Sequence, residues 1–149
     1  MMLQSSIRVR GLLLGAMALT LAACASVPTQ LMSNARQAVA AAREAHAGDY
    51  APENMRRAEQ RLDIAAQEIE NRNFRAARHQ ADRAQREAQS ALEVTRGLLA
   101  LDKAIADAQG RAGNVDEARR LQQEATLAAR RGDAPQALLL IRRASAFLP

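Results

Sequence analysis

The feature that most constrains this chain is the order of its first twenty-four residues. Arg8 and Arg10 precede an uncharged stretch of thirteen residues, 11–23, and Cys24, the only cysteine, follows directly. A basic segment, an apolar segment and small residues in this order are typical of a secretory signal peptide. The sequence therefore predicts that residues 1–23 are removed and that the remaining chain is exported.

The end of this segment, Leu21-Ala22-Ala23-Cys24, resembles a bacterial lipobox at all four positions. The resemblance implies that diacylglycerol is attached to the sulfur of Cys24, that cleavage occurs between Ala23 and Cys24, and that the new amino group is acylated. Ala25 stands where an Asp would resemble an inner-membrane retention signal. We therefore expect residues 24–30 to be a lipidated tether at the periplasmic face of the outer membrane.

Three other interpretations compete with a lipid anchor. The apolar stretch could be a transmembrane helix, but thirteen residues rise only about 20 Å, which is less than the hydrocarbon core of a bilayer. The chain could also carry an ordinary cleaved signal with an incidental cysteine, or Cys24 could be a buried core residue.

The charge of the chain does not indicate a nucleic-acid partner. The net charge is +5, and removal of the leader would lower it by two because Arg8 and Arg10 are lost. The arginines are spread among acidic residues, and only Tyr50, Phe74 and Phe147 are aromatic. Without a basic block or aromatic side chains to stack on bases, we expect no binding of nucleic acid.

Apolar residues recur every three or four positions after the tether, which is the period of a helix. We predict an all-α fold: antiparallel alanine-rich helical hairpins that form an elongated bundle over residues 31–149, with a C-terminal helical hairpin at 114–148. The long third helix carries Ala77, Ala81, Ala84, Ala88 and Ala91, which we expect to form close helix–helix seams. Two successive three-residue steps then shift the stripe to Val94 and Leu98, as a stammer does.

Several residues are predicted to begin or end helices. We expect Gly48 to take the left-handed position after the first helix, Pro52 to lie in the first turn of the second, and Gly97 to mark a bend. Asn73, Asn114 and Asp133 are predicted N-caps. Acid-to-arginine pairs at four-residue spacing should line the polar faces: Glu53–Arg57, Glu68–Arg72, Asp82–Arg86, Asp107–Arg111 and Asp116–Arg120.

An offset of 60 residues relates two parts of the chain. It places Ala58, Ala65, Ala77 and Ala84 on Ala118, Ala125, Ala137 and Ala144. Each part reads as a helix, a short turn and a second helix. Alanine is abundant enough to produce some of these matches by chance, so both a duplication and coincidence stay open.

The sequence offers little support for catalysis. His46 and His79 lie on different predicted helices without metal-ligand spacing, and no glycine-rich phosphate loop or serine elbow is present. We therefore expect no enzyme activity, no cofactor, no metal and no small-molecule substrate.

The segment from Ala47 to Met55, with Gly48, Tyr50 and Pro52 in its turn, is followed further on by Asn73-Phe74 and the alanine stripe. Residues 28–108 resemble a domain-of-unknown-function family, numbered 4398, which is common in Gram-negative lipoproteins. The second turn departs from that family, which favours Gly-Asp-Tyr where this chain has Asn73-Phe74. The resemblance implies an envelope lipoprotein without a known activity, and we expect Tyr50 to close the end of the bundle as a structural residue.

These observations favour a lipid-anchored, non-catalytic structural or interaction module that faces the periplasm and contacts an envelope protein. The alternative is a periplasmic adaptor that binds a peptide or partner helix in a groove between helical hairpins. An aromatic groove would support the adaptor, but the sequence offers only Tyr50, Phe74 and Phe147 to line one.

Overall fold

The computed structural model describes residues 27–109 and 114–149, and these residues form six α-helices. The helices are α1 (Thr29–Glu44), α2 (Ala47–Tyr50), α3 (Pro52–Glu70), α4 (Phe74–Asp107), α5 (Val115–Arg130) and α6 (Ala134–Ser145). No strand occurs in these two ranges, so the predicted all-α fold is confirmed. The predicted signal peptide and Cys24 lie outside the described residues, and Thr29 and Gln30, which were assigned to the tether, are already helical.

The long helix α4 organises the molecule because every other helix contacts it. Its first half packs against α1 and α3, where the Arg61 Nη1 atom donates a hydrogen bond to Gln80 Oε1 at 3.2 Å. Its second half packs against α5 and α6, and Gln122 on α5 donates a hydrogen bond to Asp102. Two three-helix bundles therefore share one helix that is roughly 50 Å long.

The alanines of α4 form the predicted seams. Ala77, Ala81, Ala84 and Ala88 are completely buried, as are Ala91 and Val94. Small side chains allow α1 and α3 to approach closely along this face. A three-residue step turns the stripe about 60° around the helix axis, so two such steps rotate the buried face toward α5 and α6.

Two clusters of buried residues make up the described core. The smaller one contains Met32, Ala35, Ala65, Ala81 and Ala84, with Leu31 and Ile69 packed against it. The larger one extends along the rest of α4 and includes residues of α2, α5 and α6. Both clusters consist of residues between Met32 and Ala144, so residues 27–149 contain the whole core that the structure describes.

The turns that join α3 to α4 and α5 to α6 have the same backbone geometry at the 60-residue offset. Arg72 and Gly132 both have positive φ, 58° and 79°. Their amides donate to the carbonyls of Ile69 and Ala129, and the next amide donates five residues back in each turn. These paired hydrogen bonds define a Schellman motif. The eight alanines related by the offset, Ala58 to Ala84 and Ala118 to Ala144, are all completely buried.

The helix ends confirm some of the predicted signals and contradict others. Asn114 and Asp133 accept hydrogen bonds from the amides of Glu117 and Gln136, as predicted for N-caps. Asn73 occupies the N-cap position of α4, but its side chain makes no capping hydrogen bond.

The predicted role of Gly48 is wrong. Helix α1 ends at Glu44, before Gly48, and His46 takes the left-handed conformation with a φ of 57°. Gly48 then lies inside the one-turn helix α2. Gly97 does not interrupt α4, and an added Cβ there would lie 3.1 Å from Ile141 Cδ1. Gly97 therefore allows α6 to approach α4 closely.

Candidate functional site

The turn between α1 and α3 contains the residues that the sequence singled out after Cys24. Gly48 and Pro52 are exposed and line one side of an open groove of about 360 Å³, together with His46. The remaining lining residues are Arg43, Asp49, Met55, Arg56 and Glu59. The structure therefore brings Gly48 and Pro52 together with one of the two histidines, whereas His79 lies on the exposed face of α4.

Tyr50 does not line this groove. It is half-buried and packs against the larger core cluster at the end of α2. Ala47 and Ala51 on either side are completely buried, because α2 contacts α5 as well as α1, α3 and α4. Tyr50 is thus part of the packing where the first bundle meets the C-terminal hairpin.

Three of the charged side chains that line the groove, Arg43, Arg56 and Glu59, take part in ion pairs. The Arg43 guanidinium lies 2.8 Å from Glu59 Oε1 and joins α1 to α3. Arg56 lies 2.5 Å from Glu53 Oε1, and this hydrogen bond lowers the pKa of the Glu53 carboxyl against the smaller effect of desolvation. The same interaction raises the pKa of Arg56. Solvent screening at such exposed pairs limits what each adds to stability.

A second polar cluster lies where α3, α4 and the α5–α6 turn meet. The Arg57 Nη2 atom lies 3.1 Å from Glu87 Oε2 and donates a hydrogen bond to the Gly132 carbonyl at 3.0 Å. The Asn54 Nδ2 atom donates to the same carboxylate oxygen of Glu87 at 2.9 Å. Asn54 is only 3% exposed. This junction cluster, Asn54, Arg57, Glu87 and Gly132, links the first bundle to the C-terminal hairpin.

Sequence reasoning did not find the junction cluster. The predicted pair of Arg57 with Glu53 is present, at 3.8 Å, but the sequence assigned no role to Asn54 or Glu87. Arg57 lies 30 residues from Glu87 and 75 from Gly132. The one available signal was Asn54, a polar residue that directly precedes Met55 in the apolar stripe of α3.

The other predicted ion pairs have mixed outcomes. Asp82 and Arg86 pair as predicted. Arg72 instead leaves the helix for a left-handed conformation, so it is not positioned above Glu68 on a helix face. Arg120 pairs with Glu117 at 2.6 Å rather than with Asp116, and this hydrogen bond lowers the pKa of Glu117 and raises that of Arg120. Arg111 lies outside the described residues.

None of the residues that line a groove between α1 and α4 is charged. Its volume is about 360 Å³, and it is lined by Asn34, Gln37, Ala38, Ala41, Gln85, Gln89 and Leu92. None of the three aromatic residues lines it. Phe147 lies elsewhere, in a groove between α5 and α6 with Arg143. The aromatic groove considered for the adaptor is therefore not formed by these residues.

Neither a metal centre nor a membrane span is found in the part of the chain that the structure describes. Within residues 27–109 and 114–149, no three His, Cys, Asp or Glu side chains come close enough to hold a metal ion. In the same ranges no helix combines the length and the apolar character that crossing a bilayer requires. Ala23 and Cys24 lie outside these ranges.

Comparison with known proteins gives one match. The family described as "Domain of unknown function (DUF4398)" matches residues 30–104. No curated protein and no solved structure matches the chain. The matched residues include α1, α2, α3 and most of α4, and the α5–α6 hairpin lies beyond them. Because the match covers half of the chain, the protein belongs to the DUF4398 family.

Proposed function

We propose that this protein is a lipid-anchored lipoprotein of the bacterial cell envelope, and that it acts as a non-catalytic structural or interaction module on the periplasmic face of the outer membrane. The observation that carries the proposal is Leu21-Ala22-Ala23-Cys24, placed directly after a basic and an apolar segment. Ala25 supports the outer membrane rather than the inner one. A covalent lipid on Cys24 would supply the contact with the membrane.

The helical domain is consistent with this role in two respects. Helix α1 begins at Thr29, so only residues 25–28 separate it from Cys24. Ion pairing accounts for the charged side chains Arg43, Arg56 and Glu59 that line the turn groove, without a catalytic role for them. We infer that the exposed surfaces serve contacts with an envelope protein.

Substitution of Cys24 tests the anchor. Cys24→Ser should accumulate as a larger precursor that radiolabelled palmitate does not mark, whereas the matched variant Ser26→Ala should be processed and labelled like the wild type. Undiminished labelling of Cys24→Ser would overturn the proposal. Ala25→Asp tests the location, and we expect it to move the protein from outer-membrane to inner-membrane fractions of a density gradient.

The uncharged groove between α1 and α4 favours a second candidate function, that of an adaptor. Its glutamines and alanines would suit a helix that presents small and polar side chains, because neither surface would have to bury a charge. A photo-crosslinking amino acid in place of Gln37 should then capture one protein in living cells, whereas the same substitution at Arg36 should not. Equal cross-linking from the two positions would contradict a specific groove.

A further inference from the structure

Charge is unevenly distributed along α4 and the turn before it. Residues 71–86 contain five arginines and one aspartate, whereas residues 87–109 contain four acidic residues, one arginine and one lysine. The helix that all other helices contact is therefore basic in its first half and acidic in its second.

The basic residues of the first half share one exposed face. Ala77, Ala81 and Ala84 are completely buried against α1 and α3, and the side chains at positions 75, 79, 83 and 86 lie on the opposite side of the helix. All four of these residues are exposed, as is the turn residue that precedes α4. We call this surface the basic stripe; it consists of Arg72, Arg75, His79, Arg83 and Arg86.

Three of the four arginines in the basic stripe have no side-chain partner among residues 27–109 and 114–149. Arg86 pairs with Asp82, which is also on the exposed side of α4. Among the described residues, no hydrogen bond or ion pair of a side chain involves Arg72, Arg75 or Arg83. The acidic residues at the end of α3 belong to a helix that packs on the other face of α4. The stripe therefore presents three arginines, Arg72, Arg75 and Arg83, that no acidic side chain of the described residues pairs with.

The basic stripe lies at the same end of the molecule as the start of α1. Leu31 and Ile69 pack against the same small core cluster, so the first turn of α1 lies beside the last turn of α3 and the turn that leads into α4. Only three peptide steps separate Cys24 from Val27, and an extended chain of that length reaches about 11 Å at most. A lipid on Cys24 would hold this end of the protein close to the bilayer.

We propose that the basic stripe docks on the anionic headgroups of the phospholipid bilayer. That a bilayer lies close to this end of the protein depends on the lipid anchor of the proposed function. The positive charge of the stripe does not depend on that anchor. Guanidinium groups bind phosphate through paired hydrogen bonds, and anionic lipids attract cationic side chains near the surface. The anchor raises the local concentration of headgroups, so weak individual contacts suffice. This docking lays the first half of α4 along the membrane.

Vesicle sedimentation tests the docking without depending on the anchor. Residues 25–149, which contain the whole described core, are mixed with phosphatidylcholine vesicles that either contain or lack phosphatidylglycerol. We expect binding only to vesicles with phosphatidylglycerol, and loss of this binding near 1 M salt, where the Debye length is about 3 Å. Failure to bind these vesicles at low salt overturns the proposal, and so does a preference for purified peptidoglycan over vesicles.

Two matched pairs of substitutions test the location of the surface. Arg75→Gln with Arg83→Gln should weaken vesicle binding on the order of 10- to 30-fold, since each arginine near an anionic surface contributes a factor of roughly three to five. Arg96→Gln with Lys103→Gln removes the same charge from the second half of α4 and should change binding less than about twofold. Equal losses from both pairs would show an effect of net charge alone and overturn the stripe.

A charge-preserving variant separates docking from folding. Arg75→Lys with Arg83→Lys should retain most of the binding, and all variants should give the helical circular dichroism spectrum of the wild type because the substituted side chains are exposed. Loss of binding in the lysine variant would contradict an electrostatic surface. Palmitate labelling of Cys24 in the full chain tests the lipid anchor, and vesicle binding of residues 25–149 tests the basic stripe. A negative labelling result would therefore contradict the anchor without changing the interpretation of vesicle binding.

Discussion

Gly132 and Arg72 occupy the same left-handed position in two equivalent turns. Replacing the glycine by alanine and replacing the arginine by glycine should therefore have opposite effects on the free energy of unfolding. Gly132→Ala adds a Cβ that would lie 2.4 Å from Arg57 Nη1 and 2.9 Å from Glu53 Cγ. The left-handed conformation costs a residue with a Cβ about 1–2 kcal/mol. Displacement of Arg57 also weakens its hydrogen bonds to the Gly132 carbonyl and Glu87, which adds about 1–2 kcal/mol.

Gly132→Ala should therefore lower the free energy of unfolding by about 2–4 kcal/mol. Arg72→Gly should raise it by roughly 0.5–1 kcal/mol, because glycine adopts the positive φ of 58° without a steric penalty but loses more entropy on folding. Gly48→Ala is the matched control, since Gly48 lies in a helix and no atom is within 4 Å of its added Cβ. It should change stability by less than about 1 kcal/mol.

Urea denaturation followed by circular dichroism measures all three variants on residues 25–149. Thermal melts give a second measure, because 1 kcal/mol shifts the melting temperature of a domain of this size by about 3–5 °C. An unchanged midpoint for Gly132→Ala would refute the close contact between the hairpin turn and Arg57. A lower midpoint for Arg72→Gly would refute the argument that the left-handed position is strained.

Three further predictions concern packing, capping and pH. Ala81→Leu should lower stability by about 1–3 kcal/mol because the seam has no space for a larger side chain, and an unchanged melting temperature would contradict the packing. Asp133→Ala should lower the free energy of unfolding by about 1 kcal/mol, because its side chain caps α6. Asn73→Ala should have little effect, because the Asn73 side chain makes no capping hydrogen bond. Equal losses of stability in the two variants would contradict this difference between the caps. Glu53 and Glu117 have lowered pKa values, so their contribution to stability is present above their ordinary value of 4.5 and is lost as the pH falls through the lowered folded value. The melting temperature should therefore decrease as the pH is lowered beneath about 4.5. The double variant Glu53→Gln with Glu117→Gln should show a weaker dependence of melting temperature on pH in this range.

The sequence predicted the helices well because their signals are local. The alanine stripe of α4 and its slip after Ala88 follow from spacing alone, since residues three and four apart share a helix face. The N-caps at Asn114 and Asp133 are equally local, because each side chain bonds an amide three residues away. The family resemblance predicted at 28–108 is also confirmed, with a match over residues 30–104.

The left-handed positions show where local signals stop. Glycine was the expected residue after α1, but His46 takes that conformation because α1 ends at Glu44 and α2 begins at Ala47. Ala47 is completely buried at the contact with the other helices. A preference of about 1 kcal/mol for glycine is small beside the burial of a well-packed turn, so tertiary packing decides which residue is left-handed.

The sequence by itself thus determined the helices, most of their ends and the face of α4 that is buried, because each depends on residues within four positions of one another. Only the tertiary structure decided that Arg57 binds Glu87 and the carbonyl of Gly132, which lie 30 and 75 residues away. Such partners depend on how close two helices come, and that distance is set by the alanines between them. The junction cluster is therefore a consequence of packing that no local pattern of charges could have revealed.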